Sequence, residues 1–287
     1  DRNELRQLRT RLTESYMPST YFDPLELADK ILHDLREQID RDSILRTELT
    51  SFQQAQYHQR AMAARWTRVY CASDSDRVNS PDFQALHNYV RRGGIPLAIT
   101  GPAGIGKSAL LANWLVEQQD VVLAYYVGPQ NREPSQLLRW FLYQLQSRFD
   151  LDIDLPDGTS ALADTFGDIV HQTAALCSEH LILIIDGFDR LWNEGRADLE
   201  ECLRSKWPEN VRVIISTREK APDGWAEHRV KELGTRRRAA AEQYLWRYGK
   251  KLSSANLETL ISADQANNPL FLRVILDELC ALKIDLS

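Results

Sequence analysis

The chain of 287 residues has 43% hydrophobic and 26% charged residues, which excludes a collagen-like or largely disordered protein and allows one large domain or two to three smaller ones. Its net charge of −6 excludes binding of polyanions by bulk electrostatics, and its apolar runs, such as Leu181–Ile185, are far shorter than the roughly 20 residues of a membrane helix. The four cysteines form no CxxC pair, so we expect reduced thiols in a cytoplasmic protein without membrane partners.

Residues 1–68 carry only helical patterns. Asp23 followed by Pro24 is a favourable helix start, with the acid as N-cap and the proline in the first turn. A second helix is predicted from Ser43 to about Val69 and is interpreted as a connector. Because no strand pattern occurs before residue 95, the sequence predicts an N-terminal helical segment over residues 1–68.

From residue 95, short apolar strands alternate with amphipathic helices. The predicted strands are Ile95–Thr100, Val121–Val127, Leu181–Ile185, Val211–Ser216 and, with a weaker pattern, Arg229–Leu233. The predicted helices between them cover residues 107–118, 135–149, 160–178 and 196–206. This alternation predicts an α/β core over residues 69–234, in which helices cover both faces of a parallel sheet. Residues 235–287 are predicted to form an all-helical segment, with helices at 235–249, 253–263 and 269–283.

Residues 101–108 match the pattern G-x-x-x-x-G-K-[ST]. A strand precedes them and a helix follows, which is the context in which loop amides and a helix N-terminus bind phosphate. Lys107 is expected to reach the β- and γ-phosphates of a nucleotide, and the Ser108 hydroxyl to bind Mg²⁺. The alternative is a glycine-rich turn with an incidental lysine. The predicted nucleotide contacts in this segment are Gly101, Pro102, Ala103, Gly104, Ile105, Gly106, Lys107, Ser108 and Ala109.

A second polar cluster follows the apolar strand that ends at Ile185. Asp186 would lie at the carboxyl edge of a buried parallel strand, where ligands of open α/β sheets bind, and is predicted to hold Mg²⁺ through water. Asp189 is predicted to orient or deprotonate an attacking water. The alternative for Asp186 is an ordinary helix N-cap after a strand.

The next strand ends in Ser216, Thr217 and Arg218. If it lies between the strand before the phosphate loop and the strand before Asp186, Thr217 and Arg218 emerge beside the γ-phosphate. Arg218 could then stabilise this phosphate, as an arginine finger does. The alternative is an exposed arginine at the end of a strand.

These motifs, in this order, resemble the STAND class of P-loop NTPases and, within it, the NACHT branch. The run Asp186–Asp189 is similar to the NACHT pattern in which a small residue follows the magnesium-binding aspartate, and Ser216–Arg218 is similar to the STAND sensor motif. The run Asn268–Leu272 looks like the proline motif of the helical lid, in which the proline, here Pro269, approaches the adenine. The resemblance therefore implies that residues 235–287 form this helical lid.

Two further runs, Tyr125–Gly128 and Trp207–Arg212, are similar to nephrocystin-like and telomerase-associated-protein-like NACHT modules. The resemblance covers about residues 69–287. The chain departs from the pattern at Arg190, where many NACHT proteins carry a second acid, and at Tyr70–Ser73, where related proteins often have a Gly-Arg motif. It also has no leucine-rich, WD or TPR-like repeats.

The resemblance implies a parallel five-stranded sheet of the 51432 type and the ligands ATP or ADP and Mg²⁺. It also implies a signal-transduction switch, in which ADP holds a closed state, ATP favours self-association, and hydrolysis is slow. Residues 1–45 resemble the last helices of an effector domain, so we expect such a domain upstream of residue 1.

Two other functions remain as alternatives. A nucleic-acid-associated ATPase would use the basic segment that contains Arg236–Arg238 and Lys250–Lys251, although the sequence favours a solvated helix face for these charges. A phosphotransferase with the same loop would need an acceptor pocket and arginines over the phosphates.

Overall fold

The computed structural model describes residues 51–69, 80–118 and 120–281 of the chain. The helix predicted at Asp23, the first part of the one predicted from Ser43, and the departure at Tyr70–Ser73 lie outside the described residues. The strands β1 to β5 are Leu97–Thr100, Val121–Tyr126, Leu181–Asp186, Val211–Thr217 and Ala226–Arg229. The helices α1 to α9 are Ser51–Val69, Pro81–Arg92, Lys107–Val116, Pro134–Phe149, Thr159–Ala174, Arg196–Arg204, Arg237–Arg247, Ser254–Ser262 and Pro269–Ala281.

The five strands form one parallel sheet in the order β2-β3-β4-β1-β5. This is the predicted 51432 order, and it confirms the α/β fold. The strand β4 lies between β1 and β3, so the carboxyl ends of these three strands are adjacent. In open parallel sheets this edge is where ligands bind.

The central strands are apolar because both faces of the sheet are covered. Every residue of β3 and of β4 is buried. Alternate side chains enter different cores: Leu183 packs in the core that contains residues of α4, α5 and α6, and Ile184 packs in the core that contains residues of α2 and α3. A continuous apolar run is therefore the expected signature of these strands.

The fifth strand was predicted at the wrong residues. It covers Ala226–Arg229, not Arg229–Leu233. Two main-chain bonds join it to β1 and its flanks: the Ala226 N–H donates to the Pro96 carbonyl, and the Val230 N–H donates to the Thr100 carbonyl, both at 2.9 Å. This edge strand alternates between half-buried and exposed residues, so its polar sequence lacks the apolar run that reveals the inner strands.

Helix α2 was not predicted, although its sequence carries standard signals. The Ser80 hydroxyl accepts a hydrogen bond from the Asp82 N–H, Pro81 occupies the first turn, and Gly93 follows the last residue. The helix buries Phe83 and other apolar residues in the core beneath α3. Helix α2 thus packs in the same core as β1 and α3, the two elements that the phosphate loop joins.

The described part of α1 lies against α3 and the outer edge of β2. The Gln59 amide bonds the main chain of Tyr126 twice: Nε2 donates to the Tyr126 carbonyl at 3.2 Å, and Oε1 accepts from the Tyr126 N–H at 2.6 Å. Gln59 is itself buried. This part of the predicted connector therefore packs against the sheet.

The helices α7 to α9 enclose an apolar cluster of their own. Its buried members are Ala241, Tyr244, Leu245, Leu252, Leu257, Ala266, Leu272 and Leu276. This cluster is separate from the two cores that pack on the sheet, as expected for a helical lid. The boundary of the lid at residue 235 stays a prediction. Within the described ranges, no helix combines the length and the hydropathy needed to cross a membrane.

Candidate nucleotide-binding site

The loop predicted to bind phosphate joins β1 directly to α3. Gly104 and Gly106 have φ values of 79° and 102°, a region that residues with a Cβ atom rarely adopt. Gly106 is the N-cap of α3, so the loop leads straight into the helix N-terminus. Unpaired N–H groups and the helix dipole both favour an anion at this position.

Lys107 is the first residue of α3 and is buried. Its ammonium group donates to the carbonyl of Gly101 at 2.6 Å and to that of Pro102 at 3.0 Å. Burial lowers the pKa of this ammonium group, and the nearby carboxylates of Asp189 and Asp186 oppose the shift. The loop therefore contains a desolvated cation facing two carboxylates.

Asp186 ends β3 and is 2% exposed. The Ser216 hydroxyl donates to its Oδ1 at 2.5 Å, and the Ser108 side chain is also hydrogen-bonded to it. Burial raises the pKa of Asp186, and these two hydrogen bonds only partly offset the rise. A buried carboxylate of this kind is stabilised by a cation that replaces the lost water.

Asp189 and Arg218 form an ion pair across the ends of β3 and β4. The Arg218 Nε donates to Asp189 Oδ2 at 2.5 Å, and the Arg218 N–H donates to Oδ1 at 3.1 Å. Burial acts to raise the pKa of Asp189, but the hydrogen bonds from Arg218 outweigh it and hold the pKa below its ordinary value. No local sequence pattern indicates that these two candidates contact each other.

The start of α9 lies on the phosphate loop. Asn268 Nδ2 donates to the Ala103 carbonyl at 2.8 Å, and the Leu270 N–H donates to the Gly104 carbonyl at 3.2 Å. Pro269 lies between these two residues and is the first residue of α9. The lid therefore contacts the loop through Asn268 and Leu270, the two residues that flank Pro269.

Thr217 is buried at the end of β4, in register with Thr100 of β1, and its hydroxyl accepts a hydrogen bond from the Glu219 N–H. The structure therefore brings the loop, Asp186, Asp189, Thr217, Arg218 and the Pro269 turn to one edge of the sheet. Two residues of the site are not among the predicted site residues. Ser216 bonds Asp186, and its position at the end of β4 is the sequence signal for a contact with the end of β3. Asn268 bonds Ala103, and nothing in the sequence places it on the loop.

These residues fit a magnesium-bound nucleotide. Loop amides and an ammonium group suit phosphates, and a hydroxyl beside a buried carboxylate suits Mg²⁺, which prefers oxygen ligands and retains water. The only other cluster with metal-ligand character in the described part of the chain is Asp120, Glu179 and His180, at the opposite edge of the sheet.

The sheet order, the loop after β1 and the acidic end of β3 define the fold of a P-loop NTPase. A family model described as an AAA domain matches residues 90–221, which include the loop, Asp186 and Arg218.

Three relatives are similar in sequence. A TPR repeat-containing protein of Dictyostelium discoideum is 20% identical, over 97% of this chain and 21% of that protein. Nephrocystin-3 of Mus musculus is 28% identical, over 45% of this chain and 10% of that protein. The NACHT domain- and WD repeat-containing protein 1 of Mus musculus is 24% identical, over 64% of this chain and 12% of that protein. The chain thus spans about a fifth or less of the length of these relatives.

Among solved structures, the Walker-type ATPase of Pyrococcus abyssi is 13% identical, covers 69% of this chain and 65% of its own, and overlays with a TM-score of 0.49. At this score the order of the strands, rather than the overlay, defines the fold.

Proposed function

We propose that this chain is a NACHT-type, ATP-binding, Mg²⁺-dependent NTPase that works as a nucleotide-controlled oligomerisation switch and hydrolyses ATP slowly. The observation that carries the proposal is the direct contact between the lid and the phosphate loop, through Asn268 to Ala103 and Leu270 to Gly104. Because the lid bonds the loop itself, phosphates in the loop and the position of the lid affect each other. The similarity to a NACHT domain-containing protein and to nephrocystin-3 supports the NACHT assignment.

The energies involved suit a switch. Two lid-to-loop hydrogen bonds at about 1 kcal/mol each correspond to roughly a 30-fold equilibrium between docked and undocked lids. Differential binding of two nucleotides commonly supplies roughly 1–3 kcal/mol of coupling, which is a factor of about 5 to 150. A change from diphosphate to triphosphate can therefore displace this lid without large rearrangements elsewhere.

Most of the predicted residues have a role in this scheme. The loop amides and Lys107 would hold the phosphates, while Ser108 and, through water, Asp186 would hold Mg²⁺, whose charge offsets that of the phosphates. Pro269 would lie beside the base. Ion pairing with Arg218 makes Asp189 a weak base, because a lowered pKa reduces proton affinity. Asp189 would therefore orient water more than deprotonate it, which agrees with slow hydrolysis.

The nucleotide part of the proposal is tested with Lys107→Ala. We expect calorimetry to show Mg²⁺-dependent ATP binding to the unaltered chain and none to the variant, while the exposed Lys206→Ala control binds normally. Equal ATP affinity in all three proteins would exclude the loop as the nucleotide site. Transfer of phosphate to a nucleoside acceptor in the same preparation would favour a phosphotransferase.

The switch part has its own test. Light scattering should give a larger mass with a non-hydrolysable ATP analogue than with ADP. Equal masses would refute the switch and leave the NTPase assignment standing. The cytoplasmic location and the upstream effector domain stay part of the proposal.

The structure does not favour the nucleic-acid alternative. Arg237 donates to the carbonyls of Gly234 and Ile261, and Arg238 is paired with Glu242 and Glu258. These two members of the basic segment therefore serve the lid itself. A gel shift without binding at low salt would remove this alternative.

A further inference from the structure

A second polar cleft opens beside the loop, at the ends of β2, β3 and β4. Its volume is about 550 Å³, within the range of small-molecule sites. We call it the arginine cleft; it is lined by Gly128, Pro129, Arg132, Asp189, Arg190, Leu191, Trp192, Asn193 and Arg218. Like the loop, it lies at the edge of the sheet where ligands bind.

The charge of the arginine cleft is positive although the chain is acidic. Three guanidinium groups line it against one carboxylate, that of Asp189. The Asp189 side chain is only 3% exposed and is bonded to Arg218, while Arg190 also interacts electrostatically with the buried carboxylate of Asp186. Among the described residues, neither Arg132 nor Arg190 forms an ion pair with a carboxylate.

Arg132 carries the strongest sign of a missing partner. Its Nε atom is buried and, within the described parts of the chain, has no hydrogen-bond acceptor. A buried, unsatisfied donor on a charged group is costly, and native proteins rarely keep one without a reason. Arg190 is better satisfied, since its Nη1 donates to the Val127 carbonyl at 3.3 Å, but it still presents its charge to the cleft.

Planar guanidinium groups suit oxyanions because their parallel N–H groups match two oxygens at once. Three such groups around one cleft fit a phosphate better than a single carboxylate, because a phosphate offers more oxygens and up to two charges. Trp192, which is 51% exposed, adds a flat apolar surface beside them.

We propose that the arginine cleft binds a phosphate group separate from the phosphates held by the loop. The proposal rests on the proposed function only for the neighbouring nucleotide site. Arg190 and Arg218, which line the cleft, act electrostatically on Lys107 of the phosphate loop, so the two sites are close to each other. The phosphate comes either from ATP hydrolysis, as the leaving product, or from a second, organic ligand. In either case it competes with Asp189 for Arg218.

The test separates this site from the nucleotide site. Calorimetry of the Lys107→Ala variant with inorganic phosphate and with phenyl phosphate, without nucleotide, should still show binding of one phosphate per chain. Introducing Arg132→Gln into the Lys107→Ala variant should weaken phosphate binding roughly tenfold or more, and Arg132→Lys at the same position should retain part of it. The matched control Arg204→Gln, which alters a surface ion pair, should leave phosphate binding unchanged. Loss of ATP binding in Lys107→Ala with phosphate binding retained would show that the two sites are independent.

Several outcomes distinguish the source and the role. Tighter binding of phenyl phosphate that depends on Trp192 supports an organic ligand, whereas equal binding of both probes shows that the cleft contacts only the phosphate group, as expected for product phosphate. If Arg132 were merely structural, Arg132→Gln would lower the urea midpoint without phosphate; we expect it unchanged or raised, because the unsatisfied donor is removed. Absence of binding by both probes, or binding indifferent to Arg132→Gln, overturns the proposal.

Discussion

Replacing Gly104 by alanine should release the lid from the phosphate loop. A Cβ atom at this position would lie 2.7 Å from Asn268 Oδ1 and 2.9 Å from Leu270 Cβ, both closer than real Cβ contacts allow. Either the loop or the start of α9 must move, and both lid-to-loop hydrogen bonds run through these residues. The matched control is Gly224→Ala, because Gly224 has a φ of 81° against 79° for Gly104 and has open space where its Cβ would be.

The two variants share one energetic cost and differ in another. An alanine in the left-handed region costs roughly 1–2 kcal/mol at either position. Gly104→Ala loses two further hydrogen bonds of about 0.5–1.5 kcal/mol each, so it should lower the free energy of unfolding by roughly 1–3 kcal/mol more than the control. For a chain of this size, that difference corresponds to a shift of about 2–4 °C in Tm per kcal/mol.

Urea unfolding measures the difference, and amide hydrogen exchange locates it. The Leu270 amide and the first turn of α9 should exchange faster in Gly104→Ala, whereas Gly224→Ala should leave them protected. Equal stability of the two variants, together with equal exchange at α9, would refute the docked lid and with it the support for the switch.

The contacts around the sheet edge lead to three more predictions. Asp186→Asn should raise Tm without Mg²⁺, by about 2–4 °C if the substitution removes roughly 1 kcal/mol of the cost of burying the carboxylate. It should also abolish the stabilisation by Mg-ATP. A lower Tm in differential scanning calorimetry would contradict the raised pKa of Asp186. Gln59→Leu should cost about 1–3 kcal/mol in urea unfolding, because the Tyr126 N–H at the β2 edge loses its partner, and an unchanged midpoint would show that α1 does not seal this edge. Arg218→Gln should destabilise the chain at neutral pH but less so in acid, because the lowered pKa of Asp189 stabilises the fold above the ordinary value of 3.8 and ceases to do so as the pH falls through the lowered value. The difference in unfolding free energy between the variant and the unaltered chain should therefore be smaller at pH 3 than at pH 7. A difference that stays constant between these pH values would contradict the ion pair.

Local patterns predicted the parts of the fold in which both faces of a strand are buried. β3 and β4 are continuous apolar runs because helices cover them on either side, and their ends place Asp186 and Arg218 at one edge. The edge strand β5 escaped because its half-exposed residues carry no such run. Helix α2 was not predicted, although it has a serine cap, a proline in its first turn and a glycine after its last residue.

Contacts between distant residues could not be predicted from local patterns. Nothing around Asp189 indicates that its carboxylate is engaged by Arg218, 29 positions away. The pairing requires β3 and β4 to be neighbours in the sheet, and the local sequence around either residue does not establish this. The docking of Asn268 on Ala103, 165 positions apart, depends on the packing of the whole lid.

The carboxamide of Gln59 forms the two hydrogen bonds with the main-chain N–H and carbonyl of Tyr126 that a neighbouring strand would otherwise form. Nearby, the Trp140 indole donates to the Ala124 carbonyl, so two successive outward-facing acceptors of β2 are already engaged by side chains. A sheet margin protected in this way resists growth by an added segment, which is how many chains aggregate. Any assembly of this chain at β2 would therefore have to join side-chain surfaces instead of extending the sheet.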